Sequence, residues 1–534
     1  MGEWSDWYAR EDPTKWVLAE VLKRRAAEHP DRDYLKFADR PWVSYGEINA
    51  RSNRIANSLI ARGVQPGESV SVMLPNCEEF IPVWFGVLKA GAVMSSINTA
   101  YKGDFLSWTI NLVEAKKLFI SDEYLDRLDL IKGELPTLEH VIVLESGKRE
   151  GPDPSLPHEP LEALLAGSDA EPDGITYSWT DDARIMFTSG TTGRSKGAML
   201  SHGNLASNAA ALRDAWRFTA DDRLLHGLPI FHTHGLFVAT NITLMAGGSM
   251  LFLPRFDLPE MMRLLPKATA MMGVPTFYTR LLSRPDFTRE LVAHMRLFVS
   301  GSAPLSAETH QEFSERTGHA ILERYGMTET NMNTSNPYEG DRIPGSVGLP
   351  LPGVELRIAD PDTGAVLPQG EIGMIEVRGP NVFKGYWRMP EKTKAEFRDD
   401  GFFVTGDLGY IDERGYVRIS GRGKDLIISG GFNVYPAEVE GAIEALPGVA
   451  ECAVIGVPHA DFGEGVVAVV TSKPDASLDE AQMLLSLGSE LAKYKLPKRI
   501  ILADSLPRNA MGKIQKNELR DWHKATFSPV GQGR

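Results

Sequence analysis

The spacing of hydrophobic and polar residues over the first 300 positions predicts helices that alternate with buried strands. A helix is predicted over 44–63, where Ser44 and Glu47 form a capping-box pair and Gly63 suits the C-terminal end. The apolar residues that share one face of this helix are Ile48, Ile55 and Leu59.

The elements that follow keep the same alternation. They are a strand over 69–74, a helix over 79–90, a strand over 92–97 and a strand that ends at 185–187. This order favours an α/β fold, a layered domain with mostly parallel strands. Residues 146–173 are rich in Pro, Gly, Glu and Asp, which predicts an irregular surface connection.

Beyond position 347 the pattern changes to short alternating runs, of which 373–378 is one example. A period of two is typical of strands in small antiparallel sheets. We therefore expect a large N-terminal domain over 1–421, whose last part, 347–421, is a β-rich subdomain.

The last 110 residues or so predict a small, separate α+β domain, since that length is enough to fold alone. The predicted elements are a helix from Pro436, strands near Ala453 and Val466, a helix boxed by Ser477 and Glu480, and a strand over 499–502. A hinge over 422–426, in the glycine-rich span 421–431, would join this mobile domain, 427–534, to the large one.

The run from Thr188 to Gly197 has the composition of a loop that binds phosphate. Its glycines let backbone N–H groups turn inward at the end of a buried strand. The residues that could contact phosphate are Thr188, Ser189, Gly190, Thr191, Thr192 and Lys196. Arg194 and Ser195 separate the second glycine from the lysine, so the run is not a Walker loop. A polar surface turn is the alternative.

Composition narrows the range of partners. The net charge of −14 disfavours nucleic acid and anionic membranes, because binding to either relies on basic surface. No apolar stretch predicts a membrane span, and no signal peptide is predicted. The only cysteines are Cys77 and Cys452, which predicts neither a disulfide framework nor a cysteine metal site and favours a cytoplasmic location.

Five motifs resemble, in order, those of the adenylate-forming superfamily, which includes acyl-CoA synthetases, luciferases and peptide-synthetase adenylation domains. They lie at 188–197, 325–330, 405–407, 421–425 and 507–513. The resemblance implies an ATP-dependent ligase that needs Mg²⁺ and works in two half-reactions. A carboxylate attacks the α-phosphate of ATP to give an acyl-adenylate and pyrophosphate, and the thiol of CoA then displaces AMP.

The same resemblance implies which residues bind the nucleotide. Besides the phosphate loop they are Ser302, Ala303, Tyr325, Gly326, Met327, Asp407 and Arg422. Glu329 would bind Mg²⁺, and Thr328 would hydrogen-bond the α-phosphate. Asp407 would accept hydrogen bonds from both ribose hydroxyls, and Tyr325 would stack on adenine. The alternatives are a helix-capping Glu329, a turn aspartate at Asp407, a core tyrosine at Tyr325 and a surface Arg422.

Lys513 is the residue expected to assist adenylation, because attack joins two anions and a cation there would touch both. The alternative is a solubilising surface lysine. The resemblance further implies that Lys424 is the hinge about which the C-terminal domain rotates. Gly430 and Gly431 would line the tunnel for the pantetheine of CoA, where the lack of side chains permits close approach.

The acid would bind near His232 and Arg280. A pocket for an alkyl chain should lack cations, so a cation there favours a short dicarboxylic acid whose distal carboxylate Arg280 would pair. Together with the run 323–337, this resembles malonyl-CoA synthetases and implies malonate or methylmalonate. Alternatively, Arg280 could lie outside and pair with Asp286 or Glu290, and His232 could be a core histidine.

Two other functions stay open at this point. Residues 4–125 look less like the short malonate enzymes than like other CoA ligases, including those for carnitine-type acids. A CoA ligase for a betaine or a short fatty acid is therefore one alternative. A nucleotide-binding regulator without catalysis is the other, although Glu329, Asp407 and Lys513 are all present.

Overall fold

The structure is a computed structural model that describes residues 16–149, 155–188, 195–474, 476–488, 490–509 and 512–527. Its α-helices are α1 (Leu18–Glu28), α2 (Tyr45–Ala61), α3 (Phe80–Lys89), α4 (Gly103–Leu112), α5 (Leu125–Ile131), α6 (Leu161–Leu165), α7 (His202–Ala215), α8 (Asn241–Ala246), α9 (Leu258–Leu264), α10 (Pro275–Leu282), α11 (Arg289–Val292), α12 (Ala307–Thr317), α13 (Pro390–Ala395), α14 (Pro436–Glu444), α15 (Glu480–Leu487) and α16 (Lys516–His523). A π-helix, His234–Thr240, precedes α8, and a 3₁₀ turn covers Gly423–Asp425.

The strands are numbered in the same way along the chain. They are β1 (Asp33–Phe37), β2 (Trp42–Ser44), β3 (Ser69–Met73), β4 (Val93–Ser96), β5 (Lys117–Ser121), β6 (His140–Leu144), β7 (His158–Pro160), β8 (Asp182–Phe187), β9 (Gly197–Ser201), β10 (Arg223–His226), β11 (Ser249–Phe252), β12 (Ala270–Gly273), β13 (Leu297–Ser300), β14 (Leu322–Met327), β15 (Asn331–Ser335), β16 (Leu349–Pro350), β17 (Glu355–Ala359), β18 (Gly373–Arg378), β19 (Gly385–Tyr386), β20 (Phe403–Ile411), β21 (Val417–Arg422), β22 (Ile427–Ser429), β23 (Phe432–Val434), β24 (Val449–His459), β25 (Gly463–Ser472) and β26 (Arg499–Leu502).

Two large sheets of mainly parallel strands form most of the N-terminal part, which confirms the α/β prediction. The first has the order β16-β15-β14-β13-β12-β10-β11-β1-β2 and is parallel from β14 to β1. The second has the order β19-β9-β8-β4-β3-β5-β6-β7 and is parallel from β8 to β7. Antiparallel strands lie at the sheet edges: β2, β15 and β16 in the first, β9 and β19 in the second.

The third and fourth sheets belong to the regions where the sequence pattern changes. Strands β17, β18, β20 and β21 pair antiparallel in sequence order, so the β-rich subdomain is confirmed. The C-terminal sheet has the order β23-β22-β25-β24, with β26 parallel to β25. Helices α14, α15 and α16 accompany it, which gives the expected small α+β domain. Its limits at residues 421 and 427 stay a prediction.

The hydrophobic cores follow from the alternation of side chains along the strands. One core contains residues of both large sheets, among them Val72 of β3 and Leu225 of β10. In the C-terminal sheet, Val454 and Val466 pack on one side, whereas Ile455 and Val467 pack in a separate cluster. Neighbouring residues of a strand point to opposite faces, so this sheet is buried on both sides.

Helix α2 begins and ends close to where the sequence predicts. The Ser44 hydroxyl accepts a hydrogen bond from the backbone N–H of Glu47 at 3.2 Å, and Gly63 has φ +80. The residues expected on the apolar face, Ile48, Ile55 and Leu59, are all fully buried. Only half of the capping box is formed, because the Glu47 carboxylate accepts from Arg51 instead, at 2.7 Å.

Two local predictions are wrong. The N-cap of α15 is Asp479, whose carboxylate accepts from the backbone N–H of Gln482 at 2.9 Å, and not Ser477. A carboxylate directly before the first helical residue can reach the exposed N–H groups, whereas Ser477 lies two residues too early. The connection expected over 146–173 also contains regular structure, namely β7 and α6.

The helices and the two cysteines bear on the predictions about membrane spans and disulfides. Among the helices of the described ranges, none is both long and apolar enough to cross a membrane. Cys77 and Cys452 are both buried free thiols, and burial raises the pKa of each thiol.

Candidate active site

The phosphate loop lies between β8 and β9, which pair antiparallel. The backbone N–H of Thr188 donates to the Lys196 carbonyl at 2.9 Å, which closes the base of the loop. Four of the expected phosphate contacts, Ser189, Gly190, Thr191 and Thr192, lie outside the described residues. The described ends of the loop bring the Thr188 hydroxyl and the Lys196 ammonium to the end of a buried strand.

Lys196 lies against a tyrosine and two carboxylates. Its ammonium is 3.2 Å from Glu396 Oε1 and 3.9 Å from the centre of the Tyr386 ring. The Tyr386 hydroxyl is within hydrogen-bonding distance of Glu396 Oε2 (2.6 Å) and Glu329 Oε1 (3.0 Å), and its one proton serves one of them at a time. Lys392 also pairs with Glu396, at 2.8 Å. The expected lysine and the expected metal ligand, Glu329, are thus neighbours.

Glu329 and Thr328 lie in the turn between β14 and β15. The chain continues into a strand after this turn, so the helix-capping alternative for Glu329 is wrong. Burial raises the pKa of the Glu329 carboxyl, although Tyr386, Lys196 and Arg422 each act to lower it. Gly326, before the turn, is required for close approach: a Cβ there would lie 1.9 Å from the Asn331 carbonyl oxygen.

Asp407 is held by two partners at once. It is buried in β20, where Oδ1 lies 2.6 Å from Arg422 Nε and Oδ2 accepts from the Tyr325 hydroxyl at 2.5 Å. Arg422 stands opposite Asp407 on β21 in register. The Asp407 carboxylate raises the pKa of the Arg422 guanidinium. The turn-aspartate alternative is therefore wrong, and Tyr325, Asp407 and Arg422 form one cluster.

Ser302 and Ala303 follow β13 at the end of the first sheet. Ser302 has φ +71, a left-handed conformation that is rare for a residue with a side chain. Its hydroxyl lies 3.2 Å from His234 Nδ1. Gly326 and Met327, at the end of the adjacent β14, complete the set of expected adenine contacts.

Lys513 lies on a tight loop of the C-terminal domain that faces the large domain. Its backbone N–H donates to Asn509 Oδ1 at 3.0 Å, and its carbonyl accepts from the Asn509 N–H at 3.0 Å. A Cβ on Gly512 would lie 3.8 Å from the Thr276 hydroxyl oxygen in α10. Burial lowers the pKa of the Lys513 ammonium to about 8, with Arg422 adding to the effect and Asp407 opposing it.

His232 lies among cations. Burial, together with the charges of Arg324, Arg184 and Lys513, lowers its pKa to about 4, so the imidazole is neutral at pH 7. No carboxylate is among the charges that shift this pKa. His232 is therefore within electrostatic reach of Lys513 and two arginines, and its role in binding the acid stays a prediction.

Arg280 is the other residue that the sequence assigns to the acid. It is exposed on α10, with its guanidinium 5.5 Å from the centre of the Phe256 ring. The described residues give it no ion pair with Asp286 or Glu290, and Arg284 is the partner of Asp286 at 2.8 Å. Arg280 comes one helical turn after Thr276, whose hydroxyl oxygen is 3.8 Å from where a Cβ on Gly512 would stand. The approach of Arg280 to the acid stays a prediction.

Sequence reasoning missed a buried arginine that acts electrostatically on His232, namely Arg324. It is 4 % exposed, and within the described ranges its Nε and Nη2 have no hydrogen-bond partner. Burial lowers its pKa to about 9. Its guanidinium packs on Gly301, where a Cβ would lie 2.4 Å from Arg324 Cζ. The signal was a charged residue inside the otherwise buried run of β14.

The residues expected to form the hinge and the tunnel are exposed. Lys424 is exposed in the 3₁₀ turn between β21 and β22, and burial of its ammonium nonetheless lowers its pKa. Gly430 and Gly431 are at the exposed tip of the β22–β23 hairpin, with φ +59 and +83. Both conformations favour glycine, while the tunnel itself stays a prediction.

Comparison with known proteins identifies the class. The profile of the AMP-binding enzyme family matches residues 22–387, and that of the AMP-binding enzyme C-terminal domain matches residues 438–513. The chain belongs to this family of AMP-binding enzymes. It is an ATP-dependent acyl-CoA synthetase of the AMP-forming type, which acts on small molecules through an acyl-adenylate.

Three relatives illustrate the range of the family. The crystal structure of ATP-bound MatB from Rhodopseudomonas palustris is 54 % identical, covers 96 % of this chain and all of its own, and superposes with a TM-score of 0.90. A long-chain-fatty-acid–CoA ligase of Bacillus subtilis is 33 % identical over 94 % of each chain. A malonate–CoA ligase of Arabidopsis thaliana is 32 % identical over 94 % of this chain and 88 % of its own.

Proposed function

We propose that this enzyme converts malonate, or methylmalonate, to its CoA thioester with ATP. The observation that carries the proposal is the buried Arg324, whose Nε and Nη2 have no partner among the described residues. Its charge acts on both His232 and His234. The malonate–CoA ligase of Arabidopsis thaliana among the relatives supports the same substrate.

The physical argument is the cost of burying charge. A buried guanidinium without an anion is destabilising by several kcal/mol, about 3–5 when one partner of a pair is missing. A distal carboxylate would supply the anion and accept two hydrogen bonds from Arg324. The apolar end of a short fatty acid would leave the guanidinium uncompensated.

The same cations disfavour the carnitine-type alternative. A betaine carries a fixed positive charge, and His232 is already close enough to Arg324, Arg184 and Lys513 for each to lower its pKa. A further cation in that environment would be repelled. The regulator alternative is disfavoured because the chain belongs to a family of CoA ligases.

In the first half-reaction, an oxygen of the malonate carboxylate forms a bond to the α-phosphorus of ATP, and the bond to the pyrophosphate oxygen breaks. Lys513 would touch both anions as this charge builds up. Thr328 would hydrogen-bond the α-phosphate, while Lys196 and the loop Thr188–Gly197 would hold the β- and γ-phosphates that leave.

The nucleotide end would use the cluster around Asp407. Its carboxylate would accept from the ribose hydroxyls, with Arg422 beside it and Tyr325 stacked against adenine. Ser302, Ala303, Gly326 and Met327 would form the walls around the base. Because Asp407 already accepts from Tyr325 and Arg422, its orientation is set before the nucleotide arrives.

Mg²⁺ fits the oxygens that lie next to Lys196. Glu329 and Glu396 both approach the Tyr386 hydroxyl, and carboxylate oxygens are the ligands that Mg²⁺ prefers. We propose that Glu329 holds the ion, which when bound would neutralise charge on the phosphates. The part of the chain that the structure describes has no cluster of three or more His, Cys, Asp or Glu that could hold a metal.

In the second half-reaction, the CoA sulfur would attack the acyl carbon and AMP would leave. Lys424 would be the hinge of a rotation that moves Lys513 away, and Gly430 and Gly431 would line the path of the thiol. Neither cysteine of the chain takes part, since both are buried with raised thiol pKa values.

An acid panel tests the substrate. Pyrophosphate release is measured with ATP, CoA and each of malonate, methylmalonate, succinate, propionate, butyrate and carnitine. We expect kcat/KM for malonate or methylmalonate to exceed that for propionate at least about 30-fold, as loss of a buried charge pair costs 2 kcal/mol or more. A preference for propionate, butyrate or carnitine would contradict the proposal.

Two variants in the same assay locate the distal carboxylate. Arg324→Met should raise the KM for malonate about 30-fold or more and leave the KM for ATP within about twofold. Arg280→Ala should also raise the KM for malonate, but less than Arg324→Met does, because Arg280 is exposed. An unchanged malonate preference in both variants would overturn the assignment to these arginines.

A further inference from the structure

A second buried arginine, Arg184, lies beside the acid site with most of its hydrogen-bonding capacity unused. It is 0 % exposed in the middle of β8. Its Nη2 donates to the Phe231 carbonyl at 3.0 Å, whereas Nε and Nη1 have no partner within the described ranges. A guanidinium has five N–H donors, so one satisfied bond leaves an unusual surplus for a buried group.

The neighbours of Arg184 compensate its charge only in part. Two aromatic rings approach it, with Cζ 4.7 Å from the centre of Phe237 and 5.6 Å from that of Trp84. Cation–π contacts of this kind are weaker than an ion pair. Burial lowers the pKa of the Arg184 guanidinium well below its ordinary value, and no charged group acts against that shift.

The strand β8 brings Arg184 to the segment that carries His232. Residues 184 and 186 point to the same face of the strand. Arg184 contacts the Phe231 carbonyl, and Met186 Sδ accepts from the Thr233 hydroxyl at 3.3 Å. His232 stands between these two contacts in the chain.

Arg324 reaches the same segment from the other sheet. It packs on Gly301, next to Ser302, whose hydroxyl contacts His234. The segment 231–234 is therefore flanked by a buried guanidinium from β8 and by another from β14. Carboxylates of the described residues pair with neither.

We propose that Arg184 is a specificity-determining residue that receives the second carboxylate of the acid together with Arg324. The inference rests on the proposed function and deepens it, because it assigns the dicarboxylate preference to a pair of cations from two sheets. The carboxylate would accept from the free Nη1 of Arg184, while Nε and Nη2 of Arg324, which share one edge of that guanidinium, have the fork geometry that suits the same group.

Selectivity between matched acids tests the assignment. Arg184→Met keeps an unbranched apolar side chain but removes the charge, and Arg184→Lys keeps a positive charge without the planar guanidinium. We expect Arg184→Met to reduce the ratio of kcat/KM for malonate over propionate at least about tenfold through a higher malonate KM, with the KM for ATP unchanged. Arg184→Lys should recover part of that ratio.

A control variant separates selectivity from stability. Arg296 is a partly buried arginine of the same domain that pairs with Asp222 at 2.5 Å. Arg296→Met should lower the melting temperature and leave the malonate-to-propionate ratio unchanged. If Arg184→Met lowers activity on both acids equally, or if neither Arg184 variant folds while Arg296→Met does, the residue belongs to the core and the proposal is overturned.

The assay also distinguishes the two proposals from each other. A wild-type enzyme that prefers propionate to malonate contradicts the proposed function itself. A wild-type enzyme that prefers malonate, with the same ratio in Arg184→Met, contradicts only the role of Arg184.

Discussion

The two halves of the site, which we propose to bind the nucleotide and the acid, differ in how their charges are balanced. On the nucleotide side Asp407 is paired with Arg422, and Lys196 with Glu396. On the acid side Arg324 and Arg184 are buried without an anionic partner among the described residues. The ion pairs of the nucleotide side are formed before ligands bind, so ATP must replace a protein partner there. The acid side has positive charge for which the acid itself would be the counter-ion.

Lys513 lies where the two sides meet, so its removal tests the comparison most strongly. Lys513→Ala should lower the rate of adenylate formation about 10²–10³-fold or more, because a charge that acts in the transition state is lost. Thioester formation from supplied malonyl-adenylate should be spared. Pyrophosphate release and thioester formation are measured separately.

Lys516 provides the matched control for that experiment. It lies three residues further on and pairs with Glu440 at 2.5 Å, away from the site. Lys516→Ala should leave both half-reactions intact. Equal losses of both half-reactions in Lys513→Ala would contradict a role specific to adenylation.

The pH dependence of kcat/KM should reflect both sides. The Lys513 ammonium has a pKa lowered to about 8, so kcat/KM should fall about tenfold per unit above that pH as the proton is lost. The pKa of Glu329 is raised, so kcat/KM should also fall on the acidic side as this carboxylate gains a proton. His232, with a pKa near 4, should not titrate between pH 5 and 9.

Lys513→Arg separates the alkaline loss from other causes. An arginine stays protonated through this range, so the fall above pH 8 should disappear while a lower rate persists. The measurement is pyrophosphate release from pH 5 to 10. An alkaline limb that is unchanged in Lys513→Arg would assign it to another group.

The smallest effect is expected from removing Glu396, the partner that Lys196 would leave in order to bind the phosphates of ATP. Glu396→Gln removes the carboxylate that holds Lys196, so the KM for ATP should fall by about fivefold or less, as a partly exposed ion pair contributes about 1 kcal/mol at most. Glu391→Gln, on an exposed position of α13, is the control. A higher KM for ATP in Glu396→Gln would instead make Glu396 a ligand of the ATP–metal complex.

Sequence patterns captured the parts of the fold that depend on local periodicity. Strands β18 and β26 begin and end where the alternation predicts, and Ser44 caps α2 as expected. The motifs also indicated the cluster of Tyr325, Asp407 and Arg422, although not the hydrogen bonds that join its members.

The errors arose where distant or competing contacts decide. Asp479 rather than Ser477 caps α15, because its position relative to the first turn is better. Arg324 and Arg184 have charged side chains within strands, and the sequence alone does not reveal that they point inward. Arg280 was favoured because a cation in the acid pocket would pair a second carboxylate; the structure leaves it exposed, and its role stays a prediction.

Strand β8 sets the distance between two parts of the site. Its middle carries Arg184 at the acid side, and its end leads into Thr188 at the phosphate loop, four residues and about 13 Å further along an extended strand. The spacing between the two binding regions is thus fixed by backbone geometry and does not depend on side-chain choice. A single residue inserted between these positions would turn one of them to the opposite face, so that the two regions could no longer serve the same pair of substrates.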